Sequence, residues 1–376
     1  MILPGATLGM LGGGQLGRMF TTAAQTMGYN VVVLDPDANS PAGTIADQHI
    51  CANYTDEAAL QQLAELCDAV TTEFENIPAA TLSFLEAQTI VHPSSKALAT
   101  TQNRIIEKQF IASLGIPVAP FSAIRSLNDI AAIAANFQLP AILKVANFGY
   151  DGKGQVVCET IEAVREAFQA LGEVECVLEQ RINLEREVST VLARGQSGDI
   201  TNFPVAENVH INGILHATTV PSSVTEHLAQ TAIDMADKIA EGLGYVGIMA
   251  VEFFISQEGD VIANEIAPRP HNSGHFTLDA CETSQFEQQV RMLCGLPSGN
   301  CELKSPVVMI NILGDVWGSS EPHWDALLAQ PNNKLHLYGK KEARTGRKMG
   351  HFNVLATDIE QATTIANQSF EDLKAN

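Results

Sequence analysis

The chain has 376 residues, enough for two or three domains and for a core that needs no disulfide or metal staple. Apolar residues make up 45% and charged residues 17%, the balance of an ordinary globular protein and not of a disordered one. Acidic residues outnumber basic ones 43 to 22, a net charge of −21, so nucleic acid and anionic membrane are not expected partners. Any anionic ligand then needs a local concentration of Lys, Arg and backbone N–H groups. The seven cysteines are odd in number and no two lie at C-x-x-C spacing, so neither a disulfide framework nor a zinc site is expected. The start MILPGATLGMLGGG has no basic head and no cleavage-type end, and no run of about 18 apolar residues occurs. A buried first strand and a cytoplasmic location are expected.

In chain order, an apolar strand at 6–11 leads through a glycine turn at 12–17 into helical spacing at 16–27. A β-branched strand follows at 31–34, then a helix at 56–66 and strands at 69–72 and 90–91. This rhythm predicts a parallel α/β sheet whose ligands bind outside the carboxyl ends of the strands. A helix is predicted over 95–114, ended by Gly115-Ile116-Pro117, and a first, Rossmann-like domain is placed at 1–117. A helix at 128–135, a strand at 141–145, a glycine loop at 149–154 and a strand, helix and strand ending at 176–179 make an α+β unit placed at 118–205. A long helix at 224–242, strands at 246–255 and 261–267, and an α/β appendage from about 306 make a third unit at 206–376.

Gly12, Gly14 and Gly17 fit G-x-G-x-x-G between a strand and a helix, and Asp35 closes the next strand, where a ribose-binding acid would sit. The motif admits a dinucleotide, another phosphate or nucleotide ligand, or a tight βα turn with no ligand. A second glycine loop follows Lys144, with Gly149, Tyr150, Asp151, Gly152, Lys153, Gly154 and Gln155. Its amides and two lysines can fold over phosphates, although the Walker A spacing is absent.

Glu252 and Glu265 lie in the apolar strands VEFFI and VIANEIA. A two-residue turn at Glu258-Gly259 pairs 257 with 260, and so sets 252 opposite 265 with Cβ atoms about 5 Å apart. Unpartnered, two such carboxylates repel by up to about 4 kcal/mol at an effective dielectric near 20. A divalent cation shared with phosphate oxygens removes the penalty and favours Mg²⁺. Asn264 can add an oxygen, and the loop Pro268-Arg269-Pro270-His271-Asn272-Ser273-Gly274-His275 converges polar groups suited to an anionic acceptor or intermediate. The strand end at Glu179-Gln180-Arg181-Ile182 can offer adenine an apolar slot and backbone hydrogen bonds, or be an ordinary strand end. Residues 338–351 hold five of the 22 basic residues, which reads as a phosphate site or a solvated basic turn.

Together, LGGGQLGRM, EFENIP at 73–78, GYDGKGQ at 149–155, NEIAPRPHNSGHF at 264–276 and GRKMGH at 346–351 resemble the ATP-grasp superfamily. Within it, the order of these strings resembles that of the 5-(carboxyamino)imidazole ribonucleotide synthase family over nearly the whole chain. The resemblance implies an ATP-grasp fold behind a Rossmann-like pre-ATP-grasp domain, and a homodimer. It implies carboxylation of aminoimidazole ribonucleotide with ATP and bicarbonate, through carboxyphosphate and CO₂, in purine biosynthesis. It implies ATP contacts from Arg104, Lys144, Tyr150 to Gln155, Glu179 to Ile182, Glu187, His210, Asn264 and Glu265. Mg²⁺ falls to Glu252 and Glu265. Gln15, Glu73, Ser273, Lys340, Arg347 and Lys348 fall to the ribonucleotide. Arg269, with His271 and Asn272, falls to bicarbonate and carboxyphosphate, and Asp151 or a nearby histidine to the amine proton. Val145, Thr72, Ala343 and Thr345 depart from the family's usual residues. An oxidoreductase reading accounts only for residues 12–35.

Overall fold

Buried apolar runs separated by polar helices build the first sheet, as their spacing predicts. A computed structural model describes residues 1–147, 154–318 and 320–374. Its first elements are β1 (Thr7–Leu11), α1 (Gln15–Thr26), β2 (Asn30–Leu34), β3 (Gln48–Ile50), α2 (Glu57–Leu66), β4 (Ala69–Thr72), α3 (Ala79–Glu86) and β5 (Ile90–Val91). The strands run parallel in the order β3-β2-β1-β4-β5. The order reverses between β1 and β4, so the loops after these two strands share one crevice.

The helix predicted over 95–114 is two helices, α4 (Ser95–Thr101) and α5 (Arg104–Ser113). Asn103 makes the break: its side-chain oxygen accepts from the amides of Ile105 (2.9 Å) and Ile106 (3.2 Å), so a new helix starts there. Arg104 becomes its first residue.

The second sheet contains β6 (Phe121–Ile124), β7 (Ala141–Val145), β8 (Gln155–Cys158) and β9 (Cys176–Gln180), antiparallel in the order β6-β9-β7-β8. Two helices cover it, α6 (Leu127–Ile133), capped by Ser126, and α7 (Ile161–Ala170), capped by Thr160.

The third sheet is the largest. Its strands are β10 (Leu184–Arg194), β11 (Ile200–Asn202), β12 (Ala206–Ile211), β13 (Ile214–Val220), β14 (Gly247–Ser256), β15 (Val261–Ala267), β16 (Val307–Leu313), β17 (Asn333–Leu337) and β18 (Lys348–Leu355). The order is β15-β14-β10-β12-β13-β16-β18-β17, with β11 on β10. The long helix α8 (Glu226–Leu243) lays Ala232, Ala236, Ile239, Ala240 and Leu243 on the core at helical spacing. Three short helices follow, α9 (Thr277–Ala280), α10 (Gln285–Leu293) and α11 (Trp324–Leu328), then α12 (Ile359–Leu373). Helix α10 sends Phe286, Val290 and Leu293 into the core of the first unit beside Leu16, Phe20 and Ala24. The segment beyond 306 forms no sheet of its own, because β16 pairs directly with β13. Among the described residues, no helix is long and apolar enough to cross a membrane.

Candidate active site

Glu252 and Glu265 stand opposite each other on β14 and β15. Two deviations from the simplest hairpin cancel to put them there. The turn is one residue longer than predicted: Ser256 N–H donates to the Asp260 carbonyl (3.0 Å) around 257–259, with Gly259 in the left-handed region at φ +86°. Pairs near the turn, such as Ile255 with Val261, are therefore out of step by one. A bulge at Asn264 then inserts a residue and restores the register. The side-chain oxygen of Asn264 is buried with no hydrogen-bond partner among the described residues. Two carboxylates and an orphaned amide oxygen make the hard-oxygen donor set that Mg²⁺ takes, with phosphate oxygens and water left to complete its shell.

Helix α5 supplies charges around this hairpin. Arg104 Nη1 lies 2.7 Å from Glu265 Oε2. Glu107 accepts the Ile266 amide (2.7 Å), and Lys108 Nζ donates to the Asn264 carbonyl (3.2 Å) and lies 3.4 Å from Glu179 Oε2. Lys144, at the end of β7, reaches the same Glu179 oxygen at 2.9 Å. Burial works to raise the Glu179 and Glu265 carboxyls. The two lysines overcome it at Glu179, and Arg104 overcomes it at Glu265, so both are held below the usual range. At Glu252 burial, then the charge of Glu265, outweigh the opposing charges of His210 and Lys348 and push the carboxyl up. Across the face, His210 Nδ1 lies 2.6 Å from Glu187 Oε2.

The first glycine motif folds as a strand–turn–helix, but the protein fills its anion site with its own side chains. The Glu73 carboxylate, at the end of β4, accepts from the amides of Gly14 and Gly17 (2.7 Å for Gly17). Asp35 accepts from the Gly13 amide (2.7 Å) and the Tyr54 hydroxyl (2.6 Å). A Cβ on Gly12 would lie 2.5 Å from the Glu73 Cγ, and one on Gly14 2.6 Å from its Oε1. The glycines admit this carboxylate to the start of α1, and no amide cradle is left for a pyrophosphate. Of the alternatives open for Gly12, Gly14, Gly17 and Asp35, the dinucleotide is the one this arrangement excludes.

Arg269 is clamped by Glu75: its Nε and Nη2 both reach the carboxylate, the latter at 3.0 Å. His271 Nε2 lies 3.2 Å from Glu252 Oε1. Burial, then the charges of Arg269 and Lys348, pull the His271 imidazolium down to about 3, so the ring is neutral. At the far end, Lys340 Nζ donates to the Lys348 carbonyl (2.7 Å) and Arg347 Nη1 to the Glu342 carbonyl (2.9 Å).

One cavity of about 850 Å³ joins these groups. Gln15, Glu73, Arg104, Lys144, Gln155, Glu187, His210, Glu252, Asn264, Glu265, Arg269, His271, Asn272, Lys340, Arg347 and Lys348 all line it. Several expected contacts do not. Ser273 is fully buried and faces the sheet, so it is not a direct substrate contact. Asn272 reaches the wall, but its amide is locked to Asn311 by two hydrogen bonds of 3.0 and 2.8 Å. The Gln180 and Arg181 amides donate to the Pro120 (2.8 Å) and Pro140 (3.0 Å) carbonyls, so neither is open to adenine. The Glu179 carboxylate turns to the lysines, and Gly154 and Ile182 are not on the wall. Tyr150, Asp151, Gly152 and Lys153 lie outside the described residues. Sequence reasoning missed Glu75, Glu107 and Lys108. Glu75 sits in the EFENIP string, and Glu107 and Lys108, charged residues inside the helix predicted over 95–114, are about 2% and 1% exposed.

Residues 5–102 match the ribonucleotide synthetase preATP-grasp domain, 109–286 the ATP-grasp domain, and 307–364 the phosphoribosylaminoimidazole carboxylase C-terminal domain. N5-carboxyaminoimidazole ribonucleotide synthase of Bacillus subtilis (strain 168) is 44% identical over 355 residues, 94% of this chain and 93% of the relative. The crystal structure of N5-carboxyaminoimidazole synthetase from Staphylococcus aureus complexed with ADP superposes with a TM-score of 0.93 at 39% identity, covering 98% of both chains. That of the Aspergillus clavatus synthase in complex with ADP and 5-aminoimidazole ribonucleotide gives 0.90 at 29% identity, again over 98% of both. The chain belongs to the N5-carboxyaminoimidazole ribonucleotide synthase family of ATP-grasp ligases.

Proposed function

We infer that this chain carboxylates 5-aminoimidazole ribonucleotide to N5-carboxyaminoimidazole ribonucleotide with ATP, in de novo purine biosynthesis. The observation that carries the reading is one cavity holding an acidic, cation-ready end at Glu252, Glu265 and Asn264 and a basic end at Lys340, Arg347 and Lys348. The reading takes bicarbonate as carbon source, a homodimer, a cytoplasmic location, and units at 1–117, 118–205 and 206–376. Bicarbonate oxygen attacks the γ-phosphorus and the bond to the β-phosphate oxygen breaks, giving ADP and carboxyphosphate. Loss of phosphate releases CO₂, which the exocyclic amine captures with loss of a proton. Arg104 and Lys144 bind and orient the nucleotide's phosphates beside Glu252 and Glu265. Mg²⁺ bound there would supply charge neutralisation on those phosphates. Arg269 holds the bicarbonate and carboxyphosphate anions once Glu75 yields it. Gln15 and Glu73 take the ribose and ring end of the ribonucleotide.

The deciding measurement is ADP release with each substrate withheld in turn. Release that needs both bicarbonate and the ribonucleotide supports the reading, and release indifferent to the ribonucleotide contradicts it. Lys340→Ala removes a phosphate partner and should raise the ribonucleotide KM about ten- to a hundredfold, with little change for ATP. An effect confined to ATP would refute that placement.

The pH dependence has a definite sign. A carboxyl pushed up, as Glu252 is, keeps its proton above the ordinary carboxylate range, and that proton excludes a cation. The Mg²⁺ concentration for half-maximal ADP release should therefore rise as pH falls through neutrality toward the ordinary carboxylate range, and more Mg²⁺ should move the acid limb to lower pH. An acid limb insensitive to Mg²⁺ speaks against Glu252 as a ligand.

A further inference from the structure

A chain of buried polar side chains runs across the sheet behind the carboxylate pair. Thr218 on β13 donates to the Asn208 amide oxygen on β12 (2.9 Å), and the Asn208 amide nitrogen donates to Ser189 Oγ on β10 (2.9 Å). Ser189 Oγ lies 2.7 Å from Ser273 Oγ, which lies 2.8 Å from His271 Nδ1. The other ring nitrogen of His271 reaches Glu252, which is itself the cross-strand neighbour of Ser189. Thr218, Ser189 and Ser273 are fully buried and Asn208 is 5% exposed, so the hydroxyls have to find their partners within the protein.

The direction of the chain is set at its His271 end. The Ser273 backbone N–H points at His271 Nδ1 (3.3 Å). A backbone N–H can only donate, so Nδ1 must accept. With Nδ1 an acceptor, the Ser273 hydroxyl donates to it, Ser189 donates to Ser273, and Asn208 and Thr218 fall into the donor order above. The reverse order would put a second N–H against the Ser273 amide. The proton of the neutral ring is then on Nε2, facing Glu252.

We propose that Thr218, Asn208, Ser189 and Ser273 are positioning residues that hold His271 as its Nε2–H tautomer, so that it donates to Glu252 and orients that carboxylate for a divalent cation. A neutral donor fixes the carboxylate without cancelling its charge, whereas the opposite tautomer would face it with a lone pair. The proposal rests on the reading of Glu252 as a cation ligand. Its first test needs no cation, so failure of the chain and failure of that reading are separable.

The test is ¹⁵N NMR of the histidine-labelled full chain at neutral pH without nucleotide or Mg²⁺, with His271 assigned by its loss in His271→Asn. The expected spectrum has a protonated Nε2 and an unprotonated, hydrogen-bonded Nδ1. A protonated Nδ1 overturns the proposal. Ser273→Ala breaks the last link without changing charge, and Asn208→Asp reverses the donor order. Both leave Nδ1 with only the longer Ser273 backbone N–H contact of 3.3 Å in place of the 2.8 Å hydroxyl, and should raise the share of the second tautomer and the Mg²⁺ requirement for ADP release several-fold, with kcat at saturating Mg²⁺ changed less. Wild-type tautomer and Mg²⁺ dependence in Ser273→Ala, with the amide spectrum showing an intact fold, overturns it. An altered tautomer with an unchanged Mg²⁺ requirement overturns the coupling to Glu252.

Discussion

Glu265→Gln should lower ADP release by about a hundredfold or more, while the unfolding midpoint stays at or slightly above that of the parent. The two halves of this expectation have separate origins. A neutral amide removes the charge that Glu265 brings to the cation, and it cannot replace a carboxylate as a hard ligand. The fold survives because the amide oxygen still accepts from Arg104, 2.7 Å away in the parent. The substitution also relieves repulsion: Glu265 raises the buried carboxyls of both Glu252 and Glu107. Near-normal turnover would remove Glu265 from the metal site. Lost turnover with a collapsed midpoint would make it a folding residue instead.

Glu73→Ala should lower stability by about 2–4 kcal/mol, because two amides at the start of α1 lose their acceptor and a buried side chain is truncated. Helix α1 has no side-chain cap of its own, so Glu73 does from β4 what an N-cap residue would do locally. A shifted denaturant midpoint with an unchanged slope is the expected signature. Phosphate or sulfate should restabilise the variant more than the parent, since the emptied helix start is again an anion site. Parent-like stability, or equal stabilisation by anions, would show that the carboxylate does not close this site.

Much of the site was legible because its chemistry is local in sequence. The glutamates of VEFFI and VIANEIA announce a carboxylate pair by being acidic among apolar neighbours. Even there, the pairing of 252 with 265 was reached through a turn one residue too short, and only the bulge at Asn264 made the outcome agree. The first glycine motif was legible as a turn and misleading as a site. Nothing near residue 12 says that a carboxylate 61 residues later, Glu73, occupies the amides. Glu107 and Lys108 show the same limit. Their burial depends on β15 and Glu179, so no helical periodicity could separate them from a solvated pair. The split at Asn103 was readable in principle, since Asn is a favoured cap, but the apolar spacing on both sides hid it.

The pairing of β16 with β13 bears on how such enzymes can diversify. A chain cut near 306 would not be a smaller enzyme. It would expose the Ala217–Val220 row as a bare edge inviting aggregation, and would strip Val307 and Met309 from the central core. An exchanged C-terminal segment would have to match its strand residue for residue, because a slip of one turns each side chain of the ladder to the opposite face. Recombination at that point is therefore constrained by the β13–β16 ladder, whereas residues 338–347, between β17 and β18, can vary without shifting its register.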